Sequence, residues 1–256
     1  MSSRPAALVT GARRGIGRAI CVALAGAGFD VVGSDIAAEG AAETEAAVRA
    51  AGGAFAFLPA DVAALEAHSA LVAAAWAAFG GLECLVNNAG VGALRRGDLL
   101  EVTPESWDRC FAINTRGAFF LAQAVARRML EPDAPLRGPR SLTFISSANA
   151  ALASEDRAEY TASKAATSML AKLFALRLAE AGIAAHDIRP GVIRTDLTAP
   201  VAARYDARIA AGLSPIRRWG EAEEVGRAVA LLASGALPFS TGDSFHIDGG
   251  LHIHRL

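Results

Sequence analysis

The chain is poor in cysteine: Cys21, Cys84 and Cys110 are the only three among 256 residues, and they are scattered without ligand spacing. That excludes a disulfide framework and a cysteine-based zinc site, and it fits a reducing compartment in which each thiol is a small buried apolar group. No metal site is expected. The chain also lacks a charge of one sign, since 25 basic residues face 26 acidic ones for a net charge of -1. There is no electrostatic footprint for nucleic acid or an anionic membrane, so neither is an expected partner. Long hydrophobic runs are missing too: the most apolar stretch, residues 70–79, is too short to cross a bilayer. Met1-Ser-Ser-Arg-Pro leads straight into an apolar strand candidate, with no room for a signal peptide. A soluble, cytoplasmic protein is expected. Internal repeats and low-complexity tails are absent.

What the chain does have is apolar residues in short runs, 53% hydrophobic overall with mean hydropathy +0.32, enough for one large α/β domain over 1–256. Strand candidates at 6–10, 30–34, 54–58, 84–87, 141–146, 183–189 and 244–247 alternate with helix candidates at 15–25, 39–51, 64–79, 104–129, 160–181 and 221–234. Each parallel strand needs a crossover, so this alternation predicts a doubly wound parallel sheet of about seven strands with helices on both faces. Thr103-Pro104 is a helix start, a hydroxyl cap followed by proline at the first helical position. The proline-rich segment 131–139 is a surface connection rather than a linker.

The first strand runs into Thr10-Gly-Ala-Arg-Arg-Gly-Ile-Gly17, so Gly11, Gly15 and Gly17, with Arg14 and Ile16 between them, open the first helix. Glycines there allow a tight turn and a close approach of a pyrophosphate to the helix N-terminus, which makes this a candidate dinucleotide site. Asp35 ends the second strand, where a carboxylate can bond the adenosine ribose; the alternative is an ordinary turn residue. A carboxylate there repels a 2′-phosphate by about 4 kcal/mol at 4 Å and intermediate dielectric. Arg13 and Arg14 pull the other way, since a guanidinium can pair with that phosphate. NAD is favoured and NADP left open. Asp61 and Val62 follow the third strand, where they can hold the adenine edge or simply cap a helix. Asn88, Ala89 and Gly90, in Asn87-Asn-Ala-Gly90, end the fourth strand at the crevice where open sheets bind ligands. Ser146-Ser147 ends the fifth. Tyr160 and Lys164 are one helical turn apart, so a phenol with an ordinary pKa near 10 shares a face with an ammonium that favours its ionised form.

Assembled, these residues resemble the short-chain dehydrogenase/reductase family over essentially the whole length. The match runs through the glycine turn, Asn87-Asn-Ala-Gly90, Asn114, Ser147, Tyr160-Thr-Ala-Ser-Lys164, Pro190-Gly191 with Ile193 and Thr195 beyond it, and Asp248-Gly-Gly250. The resemblance implies a Rossmann-type fold, a nicotinamide cofactor and reversible hydride transfer between a secondary alcohol and a ketone. It implies Tyr160 as acid/base, Lys164 as the group that lowers its pKa and binds the nicotinamide ribose, Ser147 as holder of the substrate oxygen, and Asn114 as support for a proton-relay water. Pro190, Gly191, Ile193 and Thr195 fall on the cofactor side. Of the two serines, Ser147 stands at the family's interval before the tyrosine.

The chain departs from the family between Ser147 and Tyr160, where Glu155, Asp156 and Arg157 replace glycines and apolar residues. Arg157, or Arg95 and Arg96, can grip a carboxylate or phosphate of a substrate; a solvated charge cluster is the alternative. Residues 194–214 are expected as a mobile loop over the substrate. Arg218-Trp-Gly220 and His246-Ile-Asp-Gly-Gly250 resemble the branch labelled 3-oxoacyl-carrier-protein reductase, which implies an acyl-thioester substrate and a basic docking surface, with Arg127, Arg128 and Arg177 as candidates. An NAD preference suits instead a dehydrogenase of a small polyol, sugar or hydroxy compound. A non-catalytic nucleotide-binding regulator is the remaining alternative, against which stand the retained Ser147, Tyr160 and Lys164. His252 and His254 alternate near the C-terminus, as surface residues or as contributors to a metal or a neighbouring subunit. The helices at 104–129 and 160–181 carry more apolar surface than one sheet face needs, which favours a homo-oligomer, and the resemblance implies a tetramer.

Overall fold

In the computed structural model, which describes residues 3–196 and 198–254, the seven strands form one parallel sheet. They are β1 Ala6–Thr10, β2 Asp30–Asp35, β3 Phe55–Pro59, β4 Cys84–Asn87, β5 Arg140–Ile145, β6 Ile183–Pro190 and β7 Ser244–Ile247. Their spatial order is β3-β2-β1-β4-β5-β6-β7, which is the doubly wound, Rossmann-type arrangement the alternation predicts. All seven predicted strands are present, with ends moved by a residue at most. The order reverses between β1 and β4, so the helices leaving those strands go to opposite faces and open a crevice at the strand C-termini.

Burial follows from the pleat. Along β1, Ala6 and Leu8 join the core on one face while Ala7 and Val9 join the core on the other, and all four are inaccessible to solvent. The first face packs on α3 (His68–Phe79), α5 (Ala118–Met129) and α6 (Ala158–Leu178) through residues such as Val72, Leu121 and Phe174. The second packs on α1 (Gly15–Gly26), α2 (Ala41–Ala50) and α8 (Ala222–Ala233) through Ile20, Val48 and Val229.

Two elements differ from expectation. The predicted helix 104–129 is α4 (Pro104–Phe111), a π-helical segment Ala112–Gly117, and α5 in series. Thr103 Oγ1 caps α4 by accepting the Ser106 amide at 3.3 Å, with Pro104 in the first turn. The π segment carries Asn114 and turns it inward to 1% exposure. The segment 194–214 is not a featureless loop: it contains a short 3₁₀ turn, Ala199–Val201, and a helix, α7 (Ala202–Ala210). Tyr205 and Ile209, one turn apart on α7, pack on Trp219 as a small separate core, and that contact holds an alanine-rich stretch helical. Leu197, inside that segment, and the termini 1–2 and 255–256 lie outside the described residues.

Candidate active site

The crevice is a cavity of about 690 Å³ that continues from the β1–α1 turn to α7. Its wall includes every candidate cofactor residue together with Ser147: Gly11, Arg14, Gly15, Ile16, Gly17, Asp35, Asp61, Val62, Asn88, Ala89, Gly90, Ser147, Tyr160, Lys164, Pro190, Gly191, Ile193 and Thr195. Asn114 stands one layer behind it.

At the dinucleotide end, the turn is built for close approach. Gly15 has φ +54°, and a Cβ on Gly17 would come within 1.9 Å of the Gly11 carbonyl oxygen. The N-terminus of α1 has no side-chain cap and no acidic residue in its first turn, so its free amides lie at the cavity without a partner among the described residues. That is a fit for a dinucleotide pyrophosphate. Asn88 locks the two strands flanking the crevice: its Nδ2 donates to the carbonyls of Thr10 and Gly11 at 2.9 and 3.2 Å, while its own amide and that of Ala89 donate to Thr10 Oγ1 at 3.1 and 3.0 Å. Asp61 Oδ1 accepts the Ala63 amide at 2.8 Å, so it caps its own turn while lining the cavity.

The two opposed specificity signals meet. Arg13 Nε lies 3.3 Å from Asp35 Oδ1, and the Arg13 amide donates to Asp35 Oδ2 at 3.4 Å. Arg14 turns to Asp196, with Nη1 3.4 Å from its Oδ2.

At the centre, the structure separates the two serines. Ser146 Oγ donates to the buried Asp187, within a network that also holds Ser168, Arg189 and Ser244 on the same carboxylate. Ser147 is left to face the cavity beside Tyr160. Burial pushes the Tyr160 phenol above its ordinary value; a hydrogen bond from Ser147, then the Arg157 and Arg96 guanidiniums, pull it back, while Tyr205 adds to the rise. The expected effect of Lys164 takes another form. Its Nζ lies 5.9 Å from the Tyr160 ring centroid and donates to the Ile145 carbonyl at 2.8 Å. Burial pushes this ammonium down to about 8, against the pull of Asp187 and Cys110. The main downward pulls on the phenol are therefore Ser147 and the two arginines.

Asn114 is held on all sides. Its Oδ1 accepts the Val91 amide at 2.8 Å, its Nδ2 donates to the Val91 carbonyl and to Ser163 Oγ, each at 3.0 Å, and its carbonyl accepts Thr167 Oγ1 at 2.8 Å. It fixes the loop after β4 to α6.

Toward α7 the wall includes Arg96, Arg109, Asn149, Ser154, Arg157, Tyr205 and Arg208. Of these the sequence singles out only Arg96 and Arg157. Tyr205 carried one signal, as one of just two tyrosines in the chain. Arg95 is exposed and outside the wall. His252 donates to Asp248 Oδ2 through Nδ1 at 2.8 Å and stacks on His246 with centroids 3.9 Å apart, while His254 is exposed. Among the described residues no group of three or more potential metal ligands forms. Arg127 and Arg128 end α5 and Arg177 ends α6. Helices of a doubly wound sheet finish beside the strand N-termini, so these arginines are on the side opposite the crevice.

A family model described as enoyl-(acyl carrier protein) reductase matches residues 11–252. The chain belongs to the short-chain dehydrogenase/reductase family. A solved 3-oxoacyl-[acyl-carrier protein] reductase from Brucella melitensis, in complex with NAD, is 49% identical with a TM-score of 0.96 and full coverage of both chains. The 3beta-hydroxysteroid dehydrogenase 1 of Eggerthella lenta is 36% identical over 251 residues, covering 96% of this chain and 93% of that one. The 2-dehydro-3-deoxy-D-gluconate 5-dehydrogenase of Dickeya dadantii is 34% identical over 245 residues, covering 95% and 94%. Membership of this family makes the chain an NAD(P)-dependent oxidoreductase.

Proposed function

We propose that the chain, as one catalytic domain with residues 194–214 as its cover, interconverts a secondary alcohol and a ketone with Tyr160 as the acid/base, and that it prefers NAD. The observation that carries this is the convergence of Tyr160, Ser147 and Lys164 on one cavity that also holds an uncapped glycine-turn helix. The glycine-turn amides, Asp35, Val62, Asn88 to Gly90, Lys164, Pro190, Gly191, Ile193 and Thr195 would hold the dinucleotide. When bound, its nicotinamide supplies or accepts the hydride.

Tyr160 and Ser147 meet the substrate oxygen. In reduction Tyr160 gives its phenolic proton to that oxygen; in oxidation the phenolate removes the hydroxyl proton. Ser147 has one hydroxyl proton, which it donates to the substrate oxygen or to the phenolate, whichever carries the charge. Lys164, anchored on Ile145, keeps a positive charge beneath the phenol at neutral pH. Asn114 holds Val91 and Ser163 so that the loop after β4 and the Tyr160 helix keep their register.

Support for NAD comes from Asp35, which already occupies Arg13. A 2′-phosphate would have to displace that carboxylate to reach the guanidinium, against a like-charge repulsion of about 4 kcal/mol at 4 Å. Two substrate readings have support. A 3-oxoacyl thioester fits the printed name of the 49% identical relative. A compact polyol, sugar or hydroxy compound is supported by the NAD preference and by the position of Arg127, Arg128 and Arg177, which are not at the crevice mouth where a carrier would dock. Turnover of ketones, acyl thioesters and small alcohols with both cofactors tests the proposal. NAD(H) is expected to exceed NADP(H) in kcat/KM by about tenfold or more, and Asp35→Ala, which frees Arg13, should narrow or invert that ratio. A wild-type preference for NADP(H), or an unchanged ratio in Asp35→Ala, would contradict it. We also propose self-association through exposed faces of α4, α5 and α6.

A further inference from the structure

The α7 side of the cavity is electrostatically lopsided. Arg96, Arg109, Arg157 and Arg208 line it, whereas the wall's carboxylates, Asp35, Asp61 and Asp196, belong to the dinucleotide end, and two of them are already paired with Arg13 and Arg14. The nearest compensating group is Asp156, which is shared: it lies 3.5 Å from Arg96 Nη1 and 3.0 Å from Arg204 Nη1. Among the described residues, no carboxylate comes within ion-pair distance of Arg157. Its half-buried guanidinium is aimed by neutral oxygens instead, with Nη2 donating to Asn149 Oδ1 at 2.7 Å and Nε to Ser154 Oγ at 3.2 Å. Those bonds hold its Cζ 5.2 Å from the Tyr160 ring centroid.

Arg157 is also the N-cap residue of α6, a helix of 21 residues, so it sits at the positive end of the macrodipole. A cation at that end is unfavourable to the helix dipole, whereas an anion placed beside it would meet a planar guanidinium fork.

Resting on the hydride-transfer reading of Tyr160, we propose that Arg157, with Arg96 and Tyr205 above it, is a carboxylate subsite, and that the substrate is a short hydroxy or oxo acid. The Arg157 guanidinium lies over the Tyr160 ring, 5.2 Å from its centroid, so an anion held on the outer edge of its fork stays close to the reacting oxygen, as the carboxylate of a short acid would. Tyr205 reports the same field: burial raises its phenol, but Arg157, a hydrogen bond from Arg96 and Arg208 more than offset this and hold it below its ordinary value. Arg157 acts on specificity through the substrate's anion, and on the reaction itself only by lowering the phenol.

The test uses the full chain with NAD and matched 2-, 3- and 4-hydroxy acids and their methyl esters. At least one acid should exceed its ester in kcat/KM by about tenfold or more. Arg157→Gln should collapse that ratio toward one, and Arg157→Lys should restore part of it, as a point charge without the fork. Calorimetry adds a readout independent of turnover: butyrate should bind the NAD-loaded protein about tenfold more tightly than butyramide, a difference that Arg157→Gln abolishes. Esters preferred to acids, an acid-to-ester ratio unmoved by Arg157→Gln, or equal binding of butyrate and butyramide would each overturn the proposal. Arg157-dependent butyrate binding with no turnover of any alcohol or ketone would instead overturn the hydride-transfer reading and leave the subsite standing.

Discussion

The pulls that counter burial on the Tyr160 phenol come from Ser147 and the arginines around it rather than from Lys164, and this has a measurable consequence. A base that works as phenolate is active above its pKa, and a change that raises this pKa moves alcohol oxidation to higher pH. Ser147 is the largest of the downward pulls on the phenol. Ser147→Ala should therefore lower kcat by about 10²–10³, the range for loss of a single oxyanion donor, and shift the rising limb of the oxidation profile to higher pH. A limb that stays in place would contradict the geometry. The candidate acid/base residues were legible because helix spacing alone brings Tyr160 and Lys164 onto one face, and a strand end alone turns Ser147 to the crevice. The family interval singles out Ser147 over Ser146, but what Ser146 does instead needed the buried Asp187 network, whose members come from the end of β5 and from α6, β6 and β7. Arg109, Asn149, Tyr205 and Arg208 were not legible, since only the closing of distant loops and α7 brings them to the wall.

Among the elements, α7 is where sequence and structure part. An alanine-rich segment following Pro190-Gly191 reads as a loop because its apolar stripe amounts to little more than Tyr205 and Ile209, and its partner Trp219 lies beyond it in the chain. The strands, by contrast, were legible throughout: a parallel sheet buried on both faces writes itself as short apolar runs. What ties α7 down over the site is Asp156, bonded to Arg204 on that helix and to Arg96 in the loop after β4. Burial raises the Asp156 carboxyl, but the Ser154 hydrogen bond, Arg96 and Arg204 outweigh it and leave it below the usual range. A carboxylate held low keeps its contribution above the ordinary carboxylate pKa and loses it only as pH falls through the lowered value, so the tie persists at neutral pH. Asp156→Asn should raise substrate KM by about three- to tenfold with NAD affinity little changed, because the tie is partly exposed and each bond to it is worth about 1 kcal/mol or less. Equal losses in both affinities would point to general disorder of the site instead.

Over the molecule as a whole, the sheet order brings the candidate cofactor residues to one cavity and leaves apolar surface elsewhere. On α6, Met169, Leu173 and Leu176 are 49%, 51% and 83% exposed and share one face at helical spacing, with Trp107 and Phe120 exposed on α4 and α5. Such a face is what a second copy of the chain would cover under the proposed self-association. Sedimentation should show more than one chain per particle, and Leu173→Glu should shift it toward the monomer; an unshifted particle would move the interface elsewhere. The central claim concerns the chain acting as a hydride-transfer enzyme through one phenol. Its most direct test is NAD-dependent turnover of a panel of secondary alcohols by wild type and Tyr160→Phe, with NAD binding measured in parallel. Removal of that hydroxyl is expected to lower kcat by about 10³-fold or more while NAD still binds; turnover by the phenylalanine variant within tenfold of wild type would contradict the account.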